Sequence, residues 1–178
     1  MGIVELKKGI YWVGAIDWNI RDFHGYSTPY GSTYNAYLIL DEKNVLVDTV
    51  KAPFCPEMLG RISEIIDPSK IDIIVSNHVE MDHSGSLSQT VDRIGNPMVI
   101  TSVRGKKGLE KHYQRTMNFK TVKTGEVISI GRRTLTFVEA PMLHWPDSMF
   151  TYVKEDRVLL PNDAYGQHFA STRSFADE

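Results

Sequence analysis

Ser76-Asn77-His78-Val79-Glu80-Met81-Asp82-His83-Ser84-Gly85 places four metal-ligating side chains, at 78, 80, 82 and 83, within six residues. The stretch follows Ile71 to Val75, a nearly unbroken apolar run that reads as a strand buried on both faces. A loop leaving such a strand can aim alternate side chains into one cavity, so positions 78, 80 and 82 converge. His83 reaches the same cavity from the entrance to a helix that Ser84 is expected to cap and that runs to about Ile94. A catalytic tetrahedral ion takes three protein ligands and keeps one position open, so four donors exceed its need. Two ions roughly 3.5–4 Å apart fit the pattern. A solvated loop with chance histidines explains it poorly, because the chain has only 6 histidines.

Two later positions fit the same centre. His144 sits in the Pro-bounded loop Pro141-Met142-Leu143-His144-Trp145-Pro146-Asp147-Ser148, and Asp163 lies just past the apolar run ending at Leu160. Alone, His144 reads as a partly buried histidine and Asp163 as a turn cap. Beside the first motif they add a neutral nitrogen and a bridging carboxylate.

The composition narrows the alternatives. At 178 residues the chain is long enough for one domain with a sizeable core. A net charge of -2 and no Lys/Arg run speak against a nucleic-acid partner. No apolar stretch approaches the ~18 residues of a membrane span, and Met1 to Gly14 lacks the pattern of a secretory signal. Cys55 is the only cysteine, so an internal disulfide and a thiolate cluster are excluded, and a cytoplasmic, reducing setting is expected. The last residues, Ser174-Phe175-Ala176-Asp177-Glu178, show no closing helix or strand pattern and suggest a piece of a larger protein.

Strands are expected at Ile10 to Val13, Asn35 to Leu40 and Asn44 to Val50, with Asp22 to Thr33 a loop. Pro56 to Ile66 has helical spacing. Beyond the ligand loop, Pro97 to Thr101 reads as a strand and Gly105 to Tyr113 as a helix. Phe119 to Val122, Val127 to Ile130, Thr134 to Glu139, Met149 to Val153 and Arg157 to Leu160 read as further strands. Runs of strands with helices at intervals imply an α+β fold of stacked sheets flanked by helices.

Together the motif residues resemble the metallo-β-lactamase superfold and, within it, the flavodiiron proteins. The resemblance rests on Asp22-Phe23-His24-Gly25, Gly31 to Ile39, Asn44 to Val50, the 78–83 loop, His144 to Met149 and Asn162 to His168. It implies the N-terminal portion of an αββα sandwich over residues 1–178. His78, Glu80 and His144 would bind one iron, Asp82 and His83 the other, and Asp163 would bridge them. His168 matches a non-ligand position. A further histidine ligand and a flavodoxin-like FMN domain would follow Glu178. The implied activity is reduction of O2 to water or of NO to N2O, with electrons passing through FMN. Rubredoxin or a reduced deazaflavin would be the donor, and the assembly a head-to-tail homodimer or tetramer.

Glu80 stands where zinc hydrolases of the superfold carry a histidine. A hard anionic oxygen suits iron that changes oxidation state, whereas nitrogen-rich sites serve zinc hydroxide chemistry. A binuclear zinc hydrolase and a non-catalytic fragment are the alternatives. Near the ligands, His24 is either a hydrogen-bond partner of a ligand or substrate, or a structural loop residue. Trp145 either walls the pocket or meets the flavin. Tyr26 and Met142 read as packing residues, His112 as a surface residue and Cys55 as a gap filler.

Overall fold

The computed structural model describes residues 3–173 and 175. Short β-rich runs become strands, in chain order β1 (Val4–Lys7), β2 (Ile10–Trp12), β3 (Ala15–Asp17), β4 (Asp22–Phe23), β5 (Tyr26–Ser27), β6 (Ser32–Tyr34), β7 (Tyr37–Ile39) and β8 (Asn44–Val47). They continue with β9 (Ile71–Val75), β10 (Met98–Ser102), β11 (Phe119–Val122), β12 (Val127–Ser129), β13 (Thr134–Glu139), β14 (Met149–Val153) and β15 (Val158–Leu160). The helices are α1 (Cys55–Ser63), α2 (Met81–Ser84), α3 (Leu87–Ile94) and α4 (Val103–Tyr113).

A seven-stranded sheet runs in the order β1-β2-β7-β8-β9-β10-β11, and a four-stranded sheet in the order β12-β13-β14-β15. The period-two alternation of side chains assigns each strand's residues to two cores. Val45, Val47, Ile73, Val75 and Ile100 face the second sheet and meet Leu135, Phe137, Met149 and Leu160. Leu46, Ile74 and Val99 face the other way, against Met58 and Ile62 of α1, Leu87 and Val91 of α3, and Leu109 of α4. Each such fully buried aliphatic or aromatic side chain stabilises the fold by roughly 1.5–3 kcal/mol. The layers are therefore helix, sheet, sheet. Of the expected αββα sandwich, the outer helix layer on the second sheet is missing among the described residues.

β8, β9, β10 and β11 are parallel neighbours, and helices make the crossovers between them. The stacked-sheet expectation thus holds overall, but this half of the large sheet is built from βαβ units. The loops after β8 and β9 reach the same end of the sandwich as the loops after β13 and β15, where contacts such as His78 to Asp147 join them. That convergence creates the site.

Several element expectations change. Asp22 to Thr33 holds the small hairpin β4–β5, which reverses at His24 and Gly25, both at positive φ (51° and 84°). The strand expected from Asn35 starts only at Tyr37, as β7 of the large sheet, while Ser32–Tyr34 before it forms β6 and pairs with β3. β8 ends at Val47 because Asp48 turns the chain at φ 57°. Helix α4 starts two residues before Gly105, where the Ser102 side chain accepts a hydrogen bond from Gly105 N at 2.9 Å.

Ser84 does not cap α3. It ends α2, and its hydroxyl donates back to the Glu80 carbonyl at 3.1 Å and lies 2.9 Å from the Tyr113 hydroxyl. The N-cap position belongs to Ser86, whose hydroxyl instead accepts from Val50 N at 3.3 Å. The reading of Ser174 to Glu178 lies, but for Phe175, outside the described residues.

Candidate metal centre

The ligand-type residues from three separate segments, after β9, β13 and β15, meet. One group joins His78, Glu80, His144 and Asp163; a second joins Asp82, His83 and Asp163; in each, one ligand atom per residue lies within 4.8 Å of the others. His78 Nε2 is 3.3 Å from Glu80 Oε2, and His144 Nε2 is 3.1 Å from the same oxygen. Asp163 belongs to both groups. Its Oδ1 lies 2.8 Å from His83 Nε2, while its Oδ2 lies 3.5 Å from His78 Nε2 and 3.4 Å from His144 Nε2. All of these donors except the fully buried His78 line a cavity of about 400 Å³, and His24 lines it with them.

The ionisable groups of the site set one another's charge. Burial works against charge on His78, but hydrogen bonds to Asp147 and Glu80 outweigh it and bring the imidazole up to about 9. His83 is buried too, yet Asp163 and Asp82 raise it to about 10. Burial pushes against the charge of Glu80 and Asp163, but their histidine partners hold each carboxyl at about 2. Burial raises Asp82, which faces two other carboxylates. Burial also raises Asp48 beneath the loop, to about 6.

The residues fit metal ions. Asp82 Oδ1 and Asp163 Oδ2 are buried oxygens with no hydrogen-bond partner among the described residues. A buried anionic oxygen without a donor is costly unless a cation meets it. Three carboxylates and three imidazoles facing one another at 2.8–3.5 Å supply hard oxygen and nitrogen ligands in quantity for two ions.

Asp147 is the residue that motif reading missed. Its Oδ2 accepts from His78 Nδ1 at 2.9 Å and from Val79 N at 2.8 Å. Such an outer carboxylate fixes the tautomer of a ligating histidine. The available signal was an acid three residues after His144 in the same loop.

His24 Nε2 lies 3.0 Å from Glu80 Oε1, so this half-exposed loop residue touches a ligand-type carboxylate. Trp145 stacks on His144 with ring centroids 6.0 Å apart and meets His78 edge-on at 5.2 Å, forming one wall of the cavity. His168 packs against Phe23 and lies 3.3 Å from Ser32 Oγ, outside both groups. Tyr26 and Met142 are not packing residues: they are 66% and 70% exposed, Tyr26 on its hairpin and Met142 at a positive φ of 65° that turns its loop outward. His112 is on the surface and Cys55 is buried beside Thr90.

A helix-flanked pair of stacked sheets with histidine and carboxylate side chains gathered at one end defines a metallo-β-lactamase type of protein. The chain belongs to the family described as ODP family beta lactamase, whose sequence pattern matches residues 33–178. The likeness to flavodiiron proteins is borne out within it. The chain is 52% identical to a nitric oxide reductase of Moorella thermoacetica, over 98% of this chain and 45% of that protein. It is 46% identical to a rubredoxin-oxygen oxidoreductase of Megalodesulfovibrio gigas, over 100% of this chain and 45% of the relative. Among solved structures, the flavodiiron protein from Giardia intestinalis superposes with a TM-score of 0.95 at 41% identity, over 99% of this chain and 44% of that one. The chain thus spans less than half the length of these relatives. Among the described residues, no helix is long and apolar enough to cross a membrane.

Proposed function

We propose that residues 1–178 are the N-terminal portion of a metallo-β-lactamase-like diiron domain and contribute a diiron centre that reduces O2, NO or both. The observation that carries the reading is the placement of Asp163, whose two oxygens face the two ligand groups separately, next to a group that contains Glu80. In this reading His78, Glu80 and His144 would hold one iron, Asp82 and His83 the other, and Asp163 would serve both. The irons, when bound, supply the electron-transfer chemistry toward the small diatomic substrate.

The chain's own residues do the positioning. Asp147 orients His78 through Nδ1. His24 stands with its Nε2 3.0 Å from Glu80 Oε1 and steadies that carboxylate at the site. Trp145 forms one wall of the cavity. Electrons would arrive through FMN in a flavodoxin-like domain, with Trp145 at the contact and with rubredoxin or a reduced deazaflavin as donor. A head-to-tail homodimer or tetramer would bring a flavin to each iron pair. The names of the relatives support the substrates and a rubredoxin-type donor. The buried thiol of Cys55 supports a reducing, cytoplasmic setting.

The test is anaerobic loading with ferrous iron of these residues together with the segment that would follow Glu178, counting of bound iron, and measurement of O2 and NO consumption with a reduced flavodoxin-like partner. Two irons per chain with consumption of either gas is expected. Tight zinc retention with ester or phosphodiester hydrolysis would replace the redox reading by the hydrolase one.

A further inference from the structure

Asn77 lies in the opening motif but is not itself a ligand type. It is 1% exposed, and every polar group it owns is engaged. Its backbone N–H donates to Asp48 Oδ1 at 2.7 Å, and its Nδ2 donates to Asp48 Oδ2 at 3.0 Å and to the Leu160 carbonyl at 3.4 Å. Its Oδ1 accepts from Thr151 Oγ1 at 2.8 Å, and its carbonyl accepts from Met149 N at 2.9 Å. Asp48 can only accept as a carboxylate, so the amide nitrogen must face it and the amide oxygen must face Thr151.

These partners stand on both sheets. Asp48 closes β8 of the large sheet, whereas Met149, Thr151 and Leu160 belong to the small one. Asn77 and two of these partners lie close in sequence to residues of the site: His78 is the next residue after Asn77, Met149 is two beyond Asp147, and Leu160 is three before Asp163. The loop is clamped at its other end as well, because Thr49 N and Oγ1 both donate to the His83 carbonyl at 2.8 and 2.9 Å. A planar side chain with donors on one side and an acceptor on the other is what joins these elements. Asp lacks the donors and Leu lacks both.

We propose that Asn77 is a positioning residue that sets the register between the two sheets at the metal centre and so fixes where His78 and Glu80 stand relative to Asp163. The proposal rests on the reading of this cavity as a metal site. A merely structural buried amide would, when replaced, lower stability without changing the coordination of a metal in chains that still fold.

The test is anaerobic titration of the chain with Co2+, followed by visible absorption, with circular dichroism to report folding. Asn77→Asp removes the donors and sets two acids against each other. It is expected to weaken Co2+ binding roughly tenfold and to change the band shape. The exchange Asp48→Asn together with Asn77→Asp restores a donor–acceptor pair at unchanged charge, and is expected to return most of the lost affinity and the parental bands. Thr151→Val removes one bond to the Asn77 amide on a strand that favours a branched side chain. It is expected to alter the bands in a folded chain, and it decides the matter should Asn77→Asp not fold. Folded Thr151→Val and Asn77→Asp chains with parental affinity and spectrum, or an exchange that folds without recovery, would overturn the proposal. A parental chain that binds no Co2+ would remove the metal-site reading first, which is a distinguishable result.

Discussion

The Nδ1 of His78 lies 2.9 Å from Asp147 Oδ2, while its Nε2 faces Glu80 at 3.3 Å and Asp163 at 3.5 Å. The ring is thus held between an outer carboxylate and inner ones. Its Nδ1–H donates outward, and its Nε2 lone pair is left for a metal. Asp147→Asn keeps the shape but weakens this bond. Metal affinity is expected to fall roughly 10–100-fold with little change in melting temperature, measured by metal titration and thermal unfolding.

Asp163 touches the two ligand groups through different oxygens. Asp163→Asn leaves a neutral amide with one acceptor where two anionic oxygens stood. Occupancy is expected to drop to at most one tightly held ion per chain, and gas consumption by at least about 10–100-fold. Two retained ions at normal rates would remove Asp163 from the bridge.

Proton release on metal binding follows from the histidines. Hydrogen bonds to carboxylates hold His78 up at about 9 and His83 at about 10 against burial, so both are charged near neutral pH without metal. An imidazolium cannot ligate, so each ion must displace protons. Affinity should rise with pH, by about tenfold per proton per unit, and level off above these values. The metal-free fold follows the opposite course. Its stabilisation by these raised histidines is complete below their ordinary value of 6.5 and is lost as pH climbs through about 9 to 10. Calorimetry in buffers of differing ionisation enthalpy, and denaturant midpoints across this range, check both signs.

Glu80→His converts the oxygen-bearing group into a nitrogen-rich one. The ratio of Fe2+ to Zn2+ affinity is expected to fall, as measured by competition between the two ions. An unchanged ratio would deny Glu80 its role in metal choice.

Gly85 lies where α2 approaches the chain after β8. An added Cβ would run into the Met81 carbonyl oxygen and meet Ala52 N at 3.0 Å, backbone atoms that cannot rotate aside. Gly85→Ala is expected to cost about 1–3 kcal/mol in chemical unfolding and to loosen the ligand loop.

The sequence by itself determined the local features. The apolar run Ile71 to Val75 becomes a strand buried on both faces apart from Asp72, and the ligands from 78 to 83 follow it directly, because solvent exclusion and period-two alternation act over a few residues. Beside that motif, His144 and Asp163 stand out as a further nitrogen and a bridging carboxylate. Only the tertiary structure decided which partners meet. Whether Asp147 reaches His78, 69 residues away, or Asn77 reaches Leu160, 83 away, depends on how two sheets stack, which no local pattern encodes. The same holds for Ser84, whose hydroxyl turned back to the loop's own carbonyls instead of capping a helix. Tyr26 and Met142 were misread for a related reason: an apolar side chain identifies a place in a core only when the fold brings other apolar groups to cover it.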